Sequence, residues 1–138
     1  MSRTRVVIAD DLAPVLSAVA ELLRNSFEIV GMASDGRAAL EMILKLEPDL
    51  AVLDVTMPAM SGIEVAEELK NRGNKAKVVF LTVHEDVDIL KACQVAGGLG
   101  YVVKLLMDSD LIVAANEVLA GRTFTSRFPS QAGTLPRS

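Results

Sequence analysis

The sequence predicts an α/β domain in which helices cover both faces of a parallel sheet. Short apolar segments alternate five times with longer segments of helical periodicity. The short segments are nearly continuous runs of aliphatic residues, as expected for strands that are buried on both faces. Half of the 138 residues are apolar but only 4% are aromatic, so aliphatic side chains must build the core. Right-handed crossovers then place helices on both faces of the sheet.

The five apolar segments are interpreted as strands, each rich in Val, Ile or Leu. In chain order they are β1 (5–9), β2 (29–33), β3 (50–53), β4 (78–81) and β5 (100–103). The predicted helices between and after them are α1 (13–25), α2 (36–46), α3 (62–71), α4 (86–96) and α5 (110–120).

Local signals support the helix assignments. In α1, Pro14 occupies an early helical position and the apolar residues share one face. Asp35 is a candidate N-cap for α2. Ser61 precedes α3, with Glu64 three residues later, which is the pattern of a capping box. Ser109 before α5 is expected to cap it.

Charge divides the chain into an acidic body and a basic end. Residues 1–121 contain all 18 acidic residues and 11 Lys and Arg, whereas residues 122–138 contain three Arg and no acid. We expect one domain over 1–121, followed by a flexible tail or linker stub over 122–138 that is too short to form an output domain. The acidic body argues against direct nucleic-acid binding by this chain.

The sequence also bears on the cellular compartment. The single cysteine, Cys93, excludes an internal disulfide, and the apolar run after the N-terminus is too short for a signal peptide or a membrane span. We therefore expect a cytoplasmic protein without membrane contact.

Polar side chains follow four of the predicted strands. Asp10 and Asp11 follow β1, Asp54 follows β3, Thr82 follows β4 and Lys104 follows β5. The carboxyl ends of parallel strands meet at one edge, where open α/β sheets bind ligands. Three carboxylates close together repel one another unless a cation is present, and Mg²⁺ accepts such oxygen ligands. Acids, a metal ion, a lysine and a hydroxyl together suit phosphoryl transfer, with Asp54 as the acceptor.

Four sequence segments resemble the receiver domain of bacterial two-component response regulators. They are VVIADD (6–11), PDLAVLDVTMPAMSG (48–62), VVFLTVHED (78–86) and GYVVK (100–104). The resemblance covers residues 4–121 and is strongest to receivers of the LuxR/FixJ-type helix-turn-helix subfamily. It implies a flavodoxin-like (βα)5 fold with strand order 2-1-3-4-5.

The resemblance also implies roles for individual residues. Asp54 would accept a phosphoryl group from a sensor histidine kinase, and Mg²⁺ would be held by Asp10, Asp11, Asp54 and the backbone carbonyl of Thr56. Thr82 and Lys104 would contact the phosphoryl oxygens.

A second group of residues would govern the response. Thr82 and Tyr101 would form the switch, and Thr56 and His84 would tune the lifetime of the phosphoryl group. The α4-β5-α5 surface would change shape, and it is a candidate homodimer interface. The chain would thus be the regulatory part of a transcriptional regulator, a phosphoacceptor with self-dephosphorylation and not an enzyme.

Other interpretations of the same residues remain open. Asp10 and Asp11 could cap α1, Tyr101 could be a half-buried surface residue, and His84 could be an ordinary loop residue. A phosphatase with an aspartyl intermediate would need a second acid where Thr56 stands. The first strand–helix turn has no glycine to cradle a nucleotide phosphate. The main alternative is a receiver-like scaffold that binds partners without phosphate.

Overall fold

The computed structural model describes residues 3–128. These residues form one parallel sheet with the order β2-β1-β3-β4-β5-β6. The strands are β1 (Arg5–Ala9), β2 (Glu28–Ala33), β3 (Leu50–Asp54), β4 (Lys77–Thr82), β5 (Gly100–Val103) and β6 (Phe124–Thr125). The helices are α1 (Ala13–Leu23), α2 (Gly36–Leu46), α3 (Gly62–Asn71), α4 (Val87–Val95) and α5 (Met107–Leu119). A short 3₁₀ helix, Lys104–Leu106, joins β5 to α5.

The predicted doubly wound topology and the order 2-1-3-4-5 are confirmed, with β6 added at the edge. Side chains of each strand alternate between two buried clusters. Val7 and Leu53 face the cluster that includes α2, α3 and α4, whereas Ile8 and Val52 face the cluster that includes α1 and α5. The reversal of strand order lies between β1 and β3, which pair through Ala9 and Leu53.

Two predicted helix caps are confirmed. The Asp35 side chain accepts a hydrogen bond from the backbone N–H of Ala38 at 2.8 Å. Ser61 and Glu64 form the predicted capping box, with reciprocal bonds of 2.9 and 3.1 Å. These caps fix the starts of α2 and α3 beside the loops that follow β2 and β3.

The predicted Ser109 cap is wrong, and the alternative in which Asp11 caps α1 is excluded. The helix α5 begins at Met107, three residues earlier than predicted, because the 3₁₀ helix leads directly into it. The Ser109 hydroxyl therefore donates within the helix to the Leu106 carbonyl at 3.1 Å instead of capping it. At α1 the N-cap residue is Leu12, which makes no side-chain cap, so Asp11 does not cap this helix.

The flexible tail predicted from residue 122 is wrong for Phe124–Thr125. This segment forms β6 and pairs in parallel with β5, Gly100 opposite Phe124 and Tyr101 opposite Thr125. A two-residue strand is too short to leave a periodic pattern in the sequence. Residues 129–138 of the predicted tail lie outside the described residues. Among residues 3–128, no helix has both the length and the apolar character needed to cross a membrane.

Candidate functional site

Three carboxylates meet at the carboxyl ends of the central strands. Asp10 directly follows β1, and Asp54 is the last residue of β3, so the pairing of these neighbouring strands brings the two together. Asp10 is 1% exposed and Asp54 is 6% exposed, whereas Asp11 is open to solvent. One carboxylate oxygen from each of the three lies within 4.8 Å of the others. The sequence prediction that these acids converge is therefore confirmed.

The backbone around the acids is held by short-range contacts. The Asp10 Oδ1 accepts from the Leu12 N–H at 2.9 Å, and the Asp10 N–H donates to the Ala33 carbonyl at 3.1 Å. A Cβ at Gly62 would collide with the Asp54 carbonyl, so only glycine allows α3 to start this close to the end of β3. The Asp54 main chain is thereby fixed from both the sheet and the following helix.

Lys104 brings a positive charge to the acids from the end of β5. Its Nζ lies 2.7 Å from the Asp10 Oδ2 and 3.4 Å from the Asp54 Oδ2. The Asp10 Oδ2 is fully buried and has no well-aligned hydrogen bond among residues 3–128, so the ammonium contact must offset its desolvation. One lysine thus serves two buried carboxylates.

The pKa values of Asp54 and Lys104 reflect the excess of two buried carboxylates over one ammonium group. Burial, followed by the charge of Asp10, raises the pKa of Asp54, and Lys104 only partly opposes this rise. Burial works to lower the pKa of Lys104, but its hydrogen bond with Asp10 and the two carboxylate charges outweigh burial and raise it. The site therefore carries more negative charge than its fixed cation neutralises.

The donor set fits a hard divalent cation. Three carboxylate oxygens in one cluster, one of them on the solvent-exposed Asp11, match the oxygen ligands and partial hydration of bound Mg²⁺. Thr56, whose carbonyl is the predicted fourth protein ligand, follows Asp54 by two residues, and its N–H lies 3.4 Å from the Asp54 Oδ1. The ligand role of its carbonyl stays a prediction.

His84 connects the rim of the acidic site to β4 and β5. Its N–H donates to the Thr82 Oγ1 at 3.0 Å, its Nε2 lies 3.2 Å from the Thr56 Oγ1, and its carbonyl accepts from the Tyr101 hydroxyl at 2.9 Å. Thr82 itself is the fully buried last residue of β4. The structure thus brings together all four residues that were assigned to switching and lifetime tuning. Their roles in those processes stay predictions.

Tyr101 is an interior residue, which excludes the half-buried surface position that the sequence left open. It is 2% exposed, and its ring centroid lies 6.1 Å from that of Phe128. Burial, followed by the nearby Cys93 thiol, raises the pKa of Tyr101 to about 12. The neutral phenol donates a hydrogen bond to the His84 carbonyl.

Sequence reasoning missed one buried polar residue, Ser126. It is 4% exposed, its Oγ donates to the Asp110 Oδ2 at 2.6 Å, and the same Oγ accepts from the Val103 N–H at 3.2 Å. No sequence signal marks it, because Ser126 lies among polar residues of a segment without periodicity.

Comparison with known proteins agrees with this geometry. A family model described as the response regulator receiver domain matches residues 6–116. The transcriptional regulatory protein PdtaR of Mycobacterium tuberculosis is 40% identical over 111 residues, which cover 80% of this chain and 54% of that protein. The transcriptional regulatory protein YvfU of Bacillus subtilis is 37% identical over 120 residues, covering 86% and 60%. The chain thus spans only a little over half the length of these relatives.

Solved structures give the same result. The signal receiver domain of the response regulator NarL from Mycobacterium tuberculosis superposes with a TM-score of 0.85 at 31% identity, covering 88% of this chain and 100% of that one. A LuxR-family two-component response regulator from Aurantimonas sp. superposes with a TM-score of 0.84 at 28% identity, covering 96% and 94%. In fold and in sequence, the chain belongs to the family of response regulator receiver domains.

Proposed function

We propose that this receiver domain is a phosphorylation-dependent switch in which Asp54 accepts a phosphoryl group from a sensor histidine kinase. The observation that carries the proposal is the cluster of Asp10, Asp11 and Asp54 with the Lys104 ammonium between two of them. A structural role for these groups would favour one balanced ion pair, whereas this cluster leaves negative charge for an incoming cation.

The chemical step is a transfer from nitrogen to oxygen. The Asp54 carboxylate forms an O–P bond while the N–P bond of the kinase phosphohistidine breaks, and the released imidazole nitrogen retains the bonding electron pair. Attack requires an ionised Asp54, which Lys104 favours by opposing the rise in pKa that burial and Asp10 cause. Lys104 is also placed to neutralise charge on the phosphoryl oxygens, since its Nζ already reaches the Asp54 Oδ2.

Asp10, Asp11, Asp54 and the Thr56 carbonyl would hold Mg²⁺. When bound, the ion would supply neutralisation of negative charge at the acceptor and at the phosphoryl group. Asp11 is the most accessible of the three acids and Asp10 the most buried, so Asp11 is the expected direct ligand.

The response runs from Thr82 to the edge of the sheet. A phosphoryl group on Asp54 adds about −1.5 to −2 charges near neutral pH and new acceptor oxygens, to which the Thr82 hydroxyl can donate. The Thr82 hydroxyl accepts from the His84 N–H, and the His84 carbonyl accepts from the Tyr101 hydroxyl. A shift of Thr82 can therefore reach β5 through two hydrogen bonds. The α4-β5-α5 surface is the expected site of change.

The output belongs to the same proposal. PdtaR and YvfU are named as transcriptional regulatory proteins, so we assign this switch to the control of transcription, with DNA contacted by something other than the acidic receiver. Leu105 is 76% exposed at the start of the β5–α5 connection. It supplies apolar surface for the predicted α4-β5-α5 homodimer.

The test is the mass of the intact protein after incubation with acetyl phosphate and Mg²⁺. We expect one phosphoryl adduct on the native chain, none after removal of Mg²⁺ by a chelator, and none on Asp54→Asn. The matched control is Asp108→Asn, which changes an exposed aspartate of α5 and should leave the adduct intact.

Absence of an adduct on folded native protein would overturn the proposal. The remaining function would then be that of a receiver-like scaffold, which binds its partner equally well with or without phosphodonor. The phosphatase alternative gains no support, because the exposed Thr56 stands where that chemistry needs a second acid.

A further inference from the structure

The segment 124–128, here called the strap, closes the edge of the sheet beside Tyr101. The Phe124 N–H donates to the Leu99 carbonyl at 3.0 Å, and the Ser126 N–H donates to the Tyr101 carbonyl at 2.8 Å. The Val103 N–H donates to the Ser126 hydroxyl instead of to a backbone carbonyl of the strap. The same hydroxyl donates to Asp110 on α5. The strap is therefore tied to both β5 and α5.

The two aromatic residues of the strap pack on opposite faces of the sheet. Phe124 packs against the cluster that includes α1 and α5. Phe128 packs against the other cluster, where its ring meets that of Tyr101 at 48° between planes. This separation and tilt are typical of favourable aromatic pairs. Phe128 is therefore seated on the ring that the proposed switch is expected to move.

Phe128 can pack in this way only because the Tyr101 ring lies inside the domain. The Tyr101 hydroxyl is anchored to the His84 carbonyl, and the Tyr101 backbone carbonyl accepts from the strap at Ser126. If the ring turned outward, Phe128 would lose its aromatic partner and the buried Tyr101 ring would be opened to water. Docking of the strap and the inward ring should thus stabilise each other.

We propose that the strap docks on β5 only while the Tyr101 ring lies inside the domain. The strap is then docked when the ring is inside and released when the ring turns outward. The link to Asp54 rests on the proposed function: phosphorylation draws Thr82 toward the phosphoryl group, favours the inward ring and so favours docking. The link between Tyr101 and the strap does not depend on phosphorylation. Coupling of this kind is reciprocal, so loss of the strap must loosen Tyr101 as well.

The ultraviolet absorbance of tyrosinate reports on Tyr101 alone, since the chain contains one tyrosine and no tryptophan. The first measurement is the ultraviolet absorbance titration of tyrosinate in the native protein and in Phe128→Ala. We expect the Tyr101 pKa to fall from about 12 toward 10 in the variant, because water reaches the phenol. Cys93, Asp86 and Glu85, which also raise this pKa, are unchanged in Phe128→Ala. The control is Arg127→Ala, an exposed residue of the strap, which should titrate like the native protein.

The second measurement is amide hydrogen exchange over the strap in Tyr101→Ala. We expect exchange at Phe124 and Ser126 to be about tenfold faster than in the native protein, with β1 and β3 still protected. Protection of those central strands shows that the variant is folded. Should Tyr101→Ala unfold, the titration of Phe128→Ala decides alone.

The third measurement adds beryllium fluoride with Mg²⁺ as a mimic of the phosphoryl group. We expect slower exchange of the strap in the native protein and a smaller effect in Phe128→Ala. If calorimetry detects no binding of the mimic, the proposed function fails while the first two measurements still judge the strap. Binding without any change in strap exchange would overturn the coupling to Asp54. An unchanged Tyr101 titration in Phe128→Ala, or unchanged strap exchange in folded Tyr101→Ala, would show a static edge strand and overturn the proposal.

Discussion

The centre and the edge of the sheet are built in opposite ways. At the centre, β1 and β3 each pair with strands on both sides, and they hold Asp10 and Asp54 buried beside Lys104. At the edge, β5 is covered by a strand of two residues. The adjacent α4 buries only Cys93 among its own residues, while Val87 and Val95 on it are exposed.

On the proposed function, this contrast would separate the phosphoryl chemistry at the centre from the switching response at the edge. Reacting groups have to be held in place, and paired central strands provide that constraint. A switch has to move at low cost, and segments with few buried contacts have the lowest opening free energies. Changes at the centre should therefore alter charge balance and metal binding, whereas changes at the edge should alter stability and response without altering metal affinity.

The largest effect is expected from Lys104→Met, which removes the fixed cation of the centre. Asp10 and Asp54 would then share a buried space without a counter-charge, and we expect the free energy of unfolding to fall by about 3 kcal/mol in chelator. Urea denaturation measures the loss, and added Mg²⁺ should restore part of it if the ion binds the folded state as proposed. Lys91→Met, on the exposed face of α4, is the control. Equal losses in the two variants would show that Lys104 has no special electrostatic role.

A smaller effect is expected at the edge from Ser126→Ala. The substitution leaves the Val103 N–H without its acceptor and the Asp110 Oδ2 without its donor, at a cost of about 2 kcal/mol in unfolding free energy. Calorimetric Mg²⁺ affinity should be unchanged, and Thr125→Ala, at the neighbouring exposed position, should cost much less. A weakened Mg²⁺ affinity in Ser126→Ala would contradict the separation of centre from edge.

Asp54→Asn should raise the unfolding free energy, in contrast to the two preceding substitutions. Burial and the Asp10 charge raise the folded-state pKa of Asp54 above its ordinary value of 3.8, so the folded protein binds more protons than the unfolded chain between the two values. The unfolding free energy of the native protein therefore falls as pH rises through that window, and the ionised carboxylate costs stability above it. In chelator at neutral pH, Asp54→Asn should be more stable by about 1 kcal/mol.

The pH dependence identifies the cause of that gain. The advantage of Asp54→Asn should shrink as pH falls toward 3.8, because the native carboxyl becomes protonated. Excess Mg²⁺ should also shrink it, since the proposed ion would stabilise the native site more than the variant. An advantage that is constant across pH would point to packing instead of charge.

The sequence predicted the centre well because topology determines it. Once the strands were assigned, parallel pairing alone placed Asp54 and Lys104 together at the carboxyl ends of the strands. The boundary of α5 could not be predicted, because the 3₁₀ helix at Lys104–Leu106 shifts the start of the helix and removes the cap at Ser109.

The contacts of the sheet edge were equally invisible in the sequence. The buried position of Ser126 depends on Asp110 and Val103, which are 16 and 23 residues away in the chain. No local pattern encodes such contacts, because they join segments that are far apart in the chain. The central position of His84 likewise depends on Thr56 and Tyr101, which lie on separate segments.

The smallest effect on stability is expected from His84→Ala, at the junction of centre and edge. Among residues 3–128 the half-buried ring makes one side-chain hydrogen bond, to Thr56, so the change in unfolding free energy should stay within about 0.5 kcal/mol. We expect the His84–Thr56 contact, at the rim of the site, to limit the approach of water to a phosphorylated Asp54. We therefore expect the phosphoryl adduct of His84→Ala to be lost roughly threefold faster in a time course of intact mass. Thr56→Val, which breaks the same contact from the other side, should act alike, whereas Thr56→Ser keeps the hydroxyl and should match the native protein. A longer lifetime in His84→Ala would mean that the imidazole assists hydrolysis as a base, and the barrier role of the pair would be wrong.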